Sequence, residues 1–243
     1  MTTTAYRWNQ TDAATAYDAA APHIHPHYHT VQAAVLKALP PGATQVVDLG
    51  GGSGRLAELV LAERPDTRLT VVDPSQAFLT LAEGRLARFG PRVRFVCLRA
   101  QDAWRDAVGT ADAIVSTSAL HHLEPAEKNS VFAECHAALQ TGGVFVNGDE
   151  YRPPSDAAYR DELERWGEHM DSALAIGAIP PTFGPVLDRW RERNLDGFGG
   201  PRSSGDDCHE TVEEQTARLY GAGFRAVETD WRESLWALLV ARR

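Results

Sequence analysis

One nine-residue stretch, Val46 to Gly54 (VVDLGGGSG), restricts the fold more than any other part of the chain. Val46, Val47 and Leu49 suit a strand buried on both faces, as parallel strands under covering helices are. Gly50, Gly51, Gly52 and Gly54 remove the Cβ atoms that would keep a ligand from the backbone, and they permit positive φ. Leu56, Leu59 and Val60 recur at i, i+3 and i+4, so a helix begins near the last glycine. Strand, tight turn and helix in that order expose backbone N–H groups, which favour a ligand with anionic or acceptor groups. The glycine spacing is G-x-G-x-G. Arg55 stands where the dinucleotide fingerprint has its third glycine, which turns the reading away from NAD. An ordinary strand-to-helix turn has the same composition, so the loop needs a second feature beside it.

That feature is Leu69 to Asp73 (LTVVD), another apolar strand ending in a carboxylate, about 20 residues after the loop, where a ribose-binding acid belongs. Asp73 can accept hydrogen bonds from both ribose hydroxyls, each worth about 1.5–3 kcal/mol when sheltered from water. It can equally start the turn at Pro74 and cap the helix from Ser75. The two roles are compatible.

Together these segments resemble the class I S-adenosylmethionine-dependent methyltransferases of small-molecule type. VVDLGGGSG looks like the family's first motif and LTVVDP like the acidic end of its second strand. Gln101-Asp102 after FVCLRA is similar to the adenine-contacting position after strand three. IVSTSALHHL resembles the fourth strand, and LQTGGVFVNGDE the segment into strand five. The resemblance spans roughly residues 40 to 150. It implies that Gly50, Gly51, Gly52 and Gly54 admit the cofactor, that Asp73 with Pro74 holds ribose, and that Gln101 and Asp102 hold adenine. It also implies that Ser116 faces the methionine end and that Asp48 steers the amino group. Asp102 has another reading, as cap of a short helix from Ala103.

The same resemblance implies an N-terminal helical lid over the cofactor, lined by Tyr17, His23, His27 and Tyr28. These residues flank an unusual segment, PHIHPHYH, with His23, His25, His27 and His29 between helical stretches broken at Pro22 and Pro26. A plain inter-helix turn accounts for it as well. Alternating histidines can bind a metal, but no clustered ligand set accompanies them in sequence, so no metal is expected.

Helix and strand alternate along the core. We expect helix near 53–64, strand 68–73, helix 75–89, strand 92–98, a short helical turn 101–107, strand 111–116 and helix 125–140. Leu139 to Gly143 then turns into a fifth strand from Val144 to Asn147. Alternation of this kind argues a parallel doubly wound sheet, with ligands beyond the carboxyl ends of its strands. The expected architecture is α/β, a doubly wound, mostly parallel sheet. The resemblance adds a count of seven strands and an antiparallel last strand. The expected units are a helical lid (1–40), a Rossmann-like core (41–150), a helical cap inserted after strand five (151–208) and a helix with a strand hairpin completing the core (209–243). Residues 1–12 are polar and weakly periodic, and are expected to be disordered until held.

Two adjacent histidines, His121 and His122, follow strand four. An imidazole with a pKa near 6.5 can take a proton from a hydroxyl or amine as that group attacks a methyl donor. One of the pair can also be structural packing. Some natural-product sugar O-methyltransferases of the class have a similar pair and a strand-five aspartate, which Asp149 would match. The three are the catalytic candidates. Tyr151, Tyr159, Trp166 and Phe183, with His169 and Trp190, are candidate substrate-pocket walls. Trp166 and Trp190 are equally suited to be the small core of the cap. Gly197 to Asp207 (GFGGPRSSGDD) has loop composition and can gate entry.

Bulk properties narrow the partners. A chain of 243 residues suits one core with an insertion, and no run reaches the length of a membrane span. No secretion signal leads the sequence, so a cytoplasmic location is expected. A net charge of −9 opposes nucleic-acid binding, leaving a small organic acceptor favoured and a homo-oligomer open. Three scattered cysteines outline neither a disulfide scaffold nor a zinc knuckle. The reading is therefore methyl transfer from S-adenosylmethionine to O, N or C of a small metabolite. Its alternatives are an RNA-modifying enzyme of the class and a non-catalytic cofactor-binding domain. An NAD oxidoreductase is disfavoured by the glycine spacing.

Overall fold

A computed structural model of the chain describes residues 10–243. The expected disorder of residues 1–12 lies outside the described residues as far as residue 9, whereas Thr11 and Asp12 already open the first helix. Seven strands form one sheet in the order β3-β2-β1-β4-β5-β7-β6. They are β1 (Gln45–Leu49), β2 (Arg68–Val72), β3 (Val93–Val96), β4 (Ala111–Thr117), β5 (Leu139–Glu150), β6 (Ala226–Glu233) and β7 (Trp236–Arg242). The first five are parallel, and β7 runs antiparallel to both β5 and β6.

Neighbouring residues of each central strand feed opposite faces, as the pleat requires. On one face Val47, Leu49, Ile114 and Phe145 pack under α6 (Pro125–Ala138) and α9 (Val212–Gly221). On the other, Val46, Val71, Val115 and Val146 pack against α2 (Tyr28–Ala38), α3 (Arg55–Glu63) and α4 (Gln76–Leu86). Burial on both faces is why these strands read as continuous apolar runs. The helix starts carry local signals too. Thr211 and Glu214 form a capping box, and Glu124 with Glu127 forms another ahead of Pro125.

Two boundaries differ from expectation. Strand five begins at Leu139 rather than Val144, because residues 140–143 bulge out of the β4–β5 ladder and Gly142 takes φ +81°. The helical turn expected at 101–107 is shifted to α5 (Arg105–Val108), since Trp104 is wholly buried and anchors the segment one turn earlier.

The segments expected as lid and cap form one helical layer. Ala20 and Ile24 of α1 (Thr11–Ile24) share an apolar cluster with Leu163, Trp166 and Met170 of α7 (Asp156–Ala175), Leu187 of α8 (Gly184–Arg191) and Trp236 of β7. Trp166 Nε1 donates to the Ile24 carbonyl at 2.6 Å, so two segments 142 residues apart meet on one ring. Among the described residues no helix is long and apolar enough to cross a membrane.

Candidate active site

Strand order reverses at β1, with β2 on one side and β4 on the other, and the crevice of a doubly wound sheet opens there. A cavity of about 430 Å³ occupies that position. Its floor is the β1 loop, Gly50 to Ser53, with Asp73 and Pro74 after β2, Arg99 to Gln101 after β3, and Thr117 to Leu120 with His122 after β4. Its roof is Tyr17, Asp18 and His25 of the lid, Tyr28 of α2, and Ser204 and Gly205 of the loop after the cap.

Backbone geometry builds the floor. Gly50 has φ +74°, and a Cβ there would sit 2.6 Å from Ala119 Cβ, so a side chain is excluded twice. Gly52 faces open space, and its N–H donates to Asp73 Oδ2 at 3.0 Å. Asp73 Oδ1 accepts from Ser75 N at 2.8 Å, while the Ser75 hydroxyl caps α4 through Phe78 N. Asp73 thus ties the loop to the next turn and still borders the cavity. Burial pushes its carboxyl up to about 6, against the two N–H donors. Asp48 lies beneath Gly51, fully buried, and neither oxygen makes a hydrogen bond. Burial, with Asp73 adding to it, raises its carboxyl to about 7.

The lid is charge-clamped to this floor. Asp18 accepts from the Ser53 hydroxyl, from Arg55 Nε at 2.8 Å and from Arg85 Nη2 at 2.9 Å. Burial raises the Asp18 carboxyl, but Arg85, Ser53 and Arg55 outweigh it and hold it below the usual range.

At the far end the side chains come from four distant segments. His121 is buried, with Nδ1 at 2.7 Å from Asp149 Oδ1 and 2.8 Å from Glu150 Oε2. Asp149 Oδ2 also accepts from the backbone N–H of Leu120 and His121, fixing the turn. Burial lowers the His121 pKa, but Glu150 and Asp149 outweigh it and hold it well above the ordinary value. His25 continues the chain of contacts. Its Nδ1 lies 3.2 Å from Glu150 Oε1 and its Nε2 lies 3.1 Å from the Tyr17 hydroxyl. Trp236 Nε1 donates to the same Glu150 oxygen at 3.1 Å. His122 borders the cavity, with Nδ1 3.4 Å from Asp207 Oδ1.

The loop after the cap is pinned rather than free. Gly205 N donates to the His122 carbonyl and Cys208 N to the His121 carbonyl, both at 2.8 Å. Lys128, fully buried, donates to the Cys208 carbonyl at 2.6 Å and pairs with Glu210 at 3.1 Å. Breaking a buried pair of this kind costs about 3–5 kcal/mol, so the loop holds its place over the HHL turn.

Of the residues singled out from sequence, Gly50, Gly51, Gly52, Asp73, Pro74, Gln101, Tyr17, Tyr28 and His122 border the cavity. Others stand elsewhere. Gly54 packs its backbone on Leu86 of α4, and Ser116 donates its hydroxyl to the Leu49 carbonyl one residue short of the opening. Asp102 is engaged by the Arg99 guanidinium at 2.7 Å, which holds its carboxyl below the usual range, while Arg99 and Gln101 border the cavity. Asp48, His121 and Asp149 lie behind the cavity wall, too deeply buried to border it.

Tyr151, Tyr159, Trp166 and Phe183, expected as substrate walls, and His23 and His27, expected to line the lid, do not border the cavity. Tyr151 is buried in the core, its hydroxyl accepting from Asn147, and Tyr159, Trp166 and Phe183 belong to the lid-and-cap cluster. His27 lies against Trp231 and Trp236, and the backbone carbonyl of His23 accepts from His169. The histidine of the bend that reaches the cavity is His25. Because α1 runs through Pro22 to Ile24, the helix is not broken at Pro22 as expected, and the turn falls at residues 25–27. Sequence reading also missed Asp18, Glu150, Asp207 and His209. Two acids closing an apolar strand, Asp149-Glu150, was the one signal available for any of them.

Residues 46–143 match the family described as methyltransferase domain. Over 205 residues the chain is 26% identical to the N,N-dimethyltransferase OxyT of Streptomyces rimosus, covering 83% of this chain and 49% of that one. Over 160 residues it is 29% identical to trans-aconitate 2-methyltransferase of Acidovorax sp. strain JS42, covering 61% and 59%. The chain therefore spans about half the length of the curated relatives it matches. The fold is similar to human N-acetylserotonin methyltransferase in complex with S-adenosylmethionine, with a TM-score of 0.66 at 16% identity over 97% of this chain and 57% of that one. Sheet order, glycine loop and this match agree: residues 46–143 are a methyltransferase domain, set in the Rossmann-like fold of the class I S-adenosylmethionine-dependent methyltransferases.

Proposed function

We propose that the protein transfers the methyl group of S-adenosylmethionine to a nucleophilic atom of a small organic molecule held beneath the lid. The observation that carries this reading is the cavity itself. Its floor is the glycine loop and Asp73, and its roof is Tyr17, His25 and Tyr28. Its volume, about 430 Å³, falls in the range of small-ligand sites.

The residues present fit the cofactor. Gly52 leaves open space where a Cβ would stand, Asp73 offers a carboxylate at the wall, and Gln101 and Arg99 border the position expected for adenine. Asp48, fully buried beneath Gly51, backs the loop from below rather than bordering the cavity. When bound, the cofactor supplies an already activated methyl on a sulfonium.

The chain's own part is to position the acceptor and take its proton. His25 is placed for the proton, because it borders the cavity and its Nδ1 lies 3.2 Å from Glu150 Oε1. The Tyr17 hydroxyl lies on the Nε2 side, at 3.1 Å. General-base assistance of this kind contributes about 10²–10⁴-fold. His121 and Asp149 act behind it, holding Glu150 and the HHL turn, and His122 faces the acceptor from the opposite wall. Two of the similar proteins, trans-aconitate 2-methyltransferase and N-acetylserotonin methyltransferase, are named for small-molecule acceptors, and the net charge of −9 discourages a phosphate backbone.

Calorimetry with S-adenosylhomocysteine tests the cofactor assignment. Wild type should bind, and Asp73→Ala should bind at least about tenfold more weakly for each ribose hydrogen bond lost. Absence of binding by wild type, or unchanged binding by the variant, overturns it. Incubating metabolite extracts with protein and labelled cofactor should give a small product heavier by one methyl. Label appearing in RNA instead would replace the acceptor class.

A further inference from the structure

We propose that His121, His122 and Asp207 hold a divalent transition-metal ion of the zinc or cobalt type beside the cavity. One ligand atom from each lies within 4.8 Å of the other two. Asp207 Oδ1 stands 3.8 Å from His121 Nε2 and 3.4 Å from His122 Nδ1. Two ligands bound at about 2.0–2.1 Å around a tetrahedral ion are about 3.3–3.5 Å apart, so the donors are already at near-coordinating separation. The same 3.8 Å is too long for a hydrogen bond. A proton on His121 Nε2 therefore leaves the pair unjoined, whereas an ion between them joins it.

The surroundings are those of a ligand set. His121 Nδ1 is held by Asp149 and Glu150, which turns Nε2 toward Asp207 in the carboxylate–histidine–metal arrangement. Asp207 is aimed in the same way. Asn194, 1% exposed and set on a π-helical turn at Glu192–Asp196, donates to Oδ2 at 2.7 Å and leaves Oδ1 facing the two imidazoles. Such wide turns recur at functional sites. His122 Nδ1 also lies 3.2 Å from the Asp206 carbonyl, so in the ion-free protein it donates there and on ligation the proton passes to Nε2.

Charge points the same way. Asp149, Glu150 and Asp207 converge on His121 from both ends of its ring, and among the described residues no lysine or arginine is paired with any of the three. A divalent ion offsets that excess. His209, its Nδ1 on the Tyr159 hydroxyl and its Nε2 buried with no hydrogen-bond partner, lies 5.3 Å ring to ring from His121 and completes the nitrogen-rich wall. Imidazole with one carboxylate suits zinc, cobalt, nickel or iron rather than magnesium.

Titration of the metal-free protein with cobalt(II) tests the site without cofactor or acceptor. Wild type should take up one ion per chain with the visible bands of a four-coordinate centre, displaced by zinc(II) and indifferent to magnesium. His122→Ala and Asp207→Asn should each weaken uptake by about 100-fold or more, and Asn194→Ala by about 10–100-fold. His29→Ala and His136→Ala, far from the cluster, should bind as wild type. Near-UV circular dichroism confirms that each variant is folded. No stoichiometric uptake by wild type, or equal uptake by folded Asp207→Asn, overturns the assignment, whatever the result with S-adenosylhomocysteine.

Discussion

The two ends of the cavity are built on opposite principles. The β1–β2 end is backbone: Gly50 to Gly52 and one carboxylate, Asp73, all within 24 residues of sequence and hydrogen-bonded to each other through N–H groups. The β4–β5 end is side chain: His25, His121, Glu150 and Asp207 arrive from the lid, strand four, strand five and the loop after the cap. A backbone site is carried by local sequence and resists most substitutions outside its glycines. A side-chain site depends on buried charges that balance only when every segment is docked, so losing one partner exposes the desolvation of the rest. Mutations at the first end should therefore act on cofactor affinity, and at the second on stability as well.

The largest effect expected from this contrast is at Asp149. Replacement by alanine removes the acceptor of two backbone N–H groups and one carboxylate of His121, at no measurable exposure to water. Asp149→Ala should lose about 3–5 kcal/mol of unfolding free energy, read as a fall in urea midpoint at constant slope. A loss below about 1 kcal/mol would mean that the polar end is not structurally integral, and the contrast would fail.

Gly50→Ala probes the other end. The new Cβ meets Ala119 at 2.6 Å in a left-handed conformation, so strain of about 1–2 kcal/mol adds to overpacking of about 1–3 kcal/mol. Gly52→Ala has the strain without the clash, since nothing lies within 4 Å of its Cβ. It should cost less stability and more S-adenosylhomocysteine affinity, because that Cβ enters the cavity. If both variants lose affinity and stability in the same proportion, the loop is a packing element and not a binding surface.

Legibility followed the same division. The strands, most helices and the loop were readable because each rests on neighbours in sequence: apolar runs for β1, β2 and β4, capping boxes at α6 and α9, four glycines at the turn. Asp73 and Gln101 were placed at the opening because strand ends of a parallel sheet share one edge. His25 was not, although the histidine bend was noticed. Which member of PHIHPHYH turns inward depends on where α1 ends and on Glu150, 125 residues later. Asp207 sits in a glycine-rich loop that composition marks only as irregular, and its docking needs Lys128, Glu124 and the carbonyls of the HHL turn. Trp166, open in sequence between wall and core, and Tyr159, expected as a wall, were hard to place for a related reason. A large aromatic on an inserted helix is equally fit for a wall or a core, and the lid's presence, which supplies Ala20 and Ile24, decides for the core.

Between the two ends stands the clamp from Asp18 to Ser53, Arg55 and Arg85, which fastens the lid to the glycine loop. Asp18→Asn leaves two partly buried guanidinium groups without their carboxylate, a loss of about 1.5–3 kcal/mol of local stability. Hydrogen exchange should quicken in α1 while the amides of β1 and β4 stay protected, and S-adenosylhomocysteine should dissociate faster. Uniform quickening across the sheet would show that the lid is part of the global unfolding unit and not a separate cover.

The smallest effect is the pH dependence of cofactor binding, and its sign separates the two ends. In the free protein the Asp73 carboxyl is raised from 3.8 to about 6, so it stabilises the fold fully below pH 3.8 and that contribution is lost as pH rises through 6. Ribose hydroxyls donating to the ionised form reverse the preference. Binding then favours the deprotonated state and releases a proton below pH 6. If only the ionised form binds, affinity for S-adenosylhomocysteine should rise about tenfold from pH 5 to pH 8, with the midpoint near 6. Calorimetry in buffers of different ionisation enthalpy should register that released proton at pH 5 and not at pH 8. Asp48, raised to about 7, would add a shallower second step if it meets the amino group. Asp73→Asn should abolish the lower step and move the upper one to lower pH, because the Asp73 charge helps raise Asp48. A profile already flat in wild type would mean that neither carboxylate changes its charge on binding, and the ribose contact would then belong to the backbone of the loop alone.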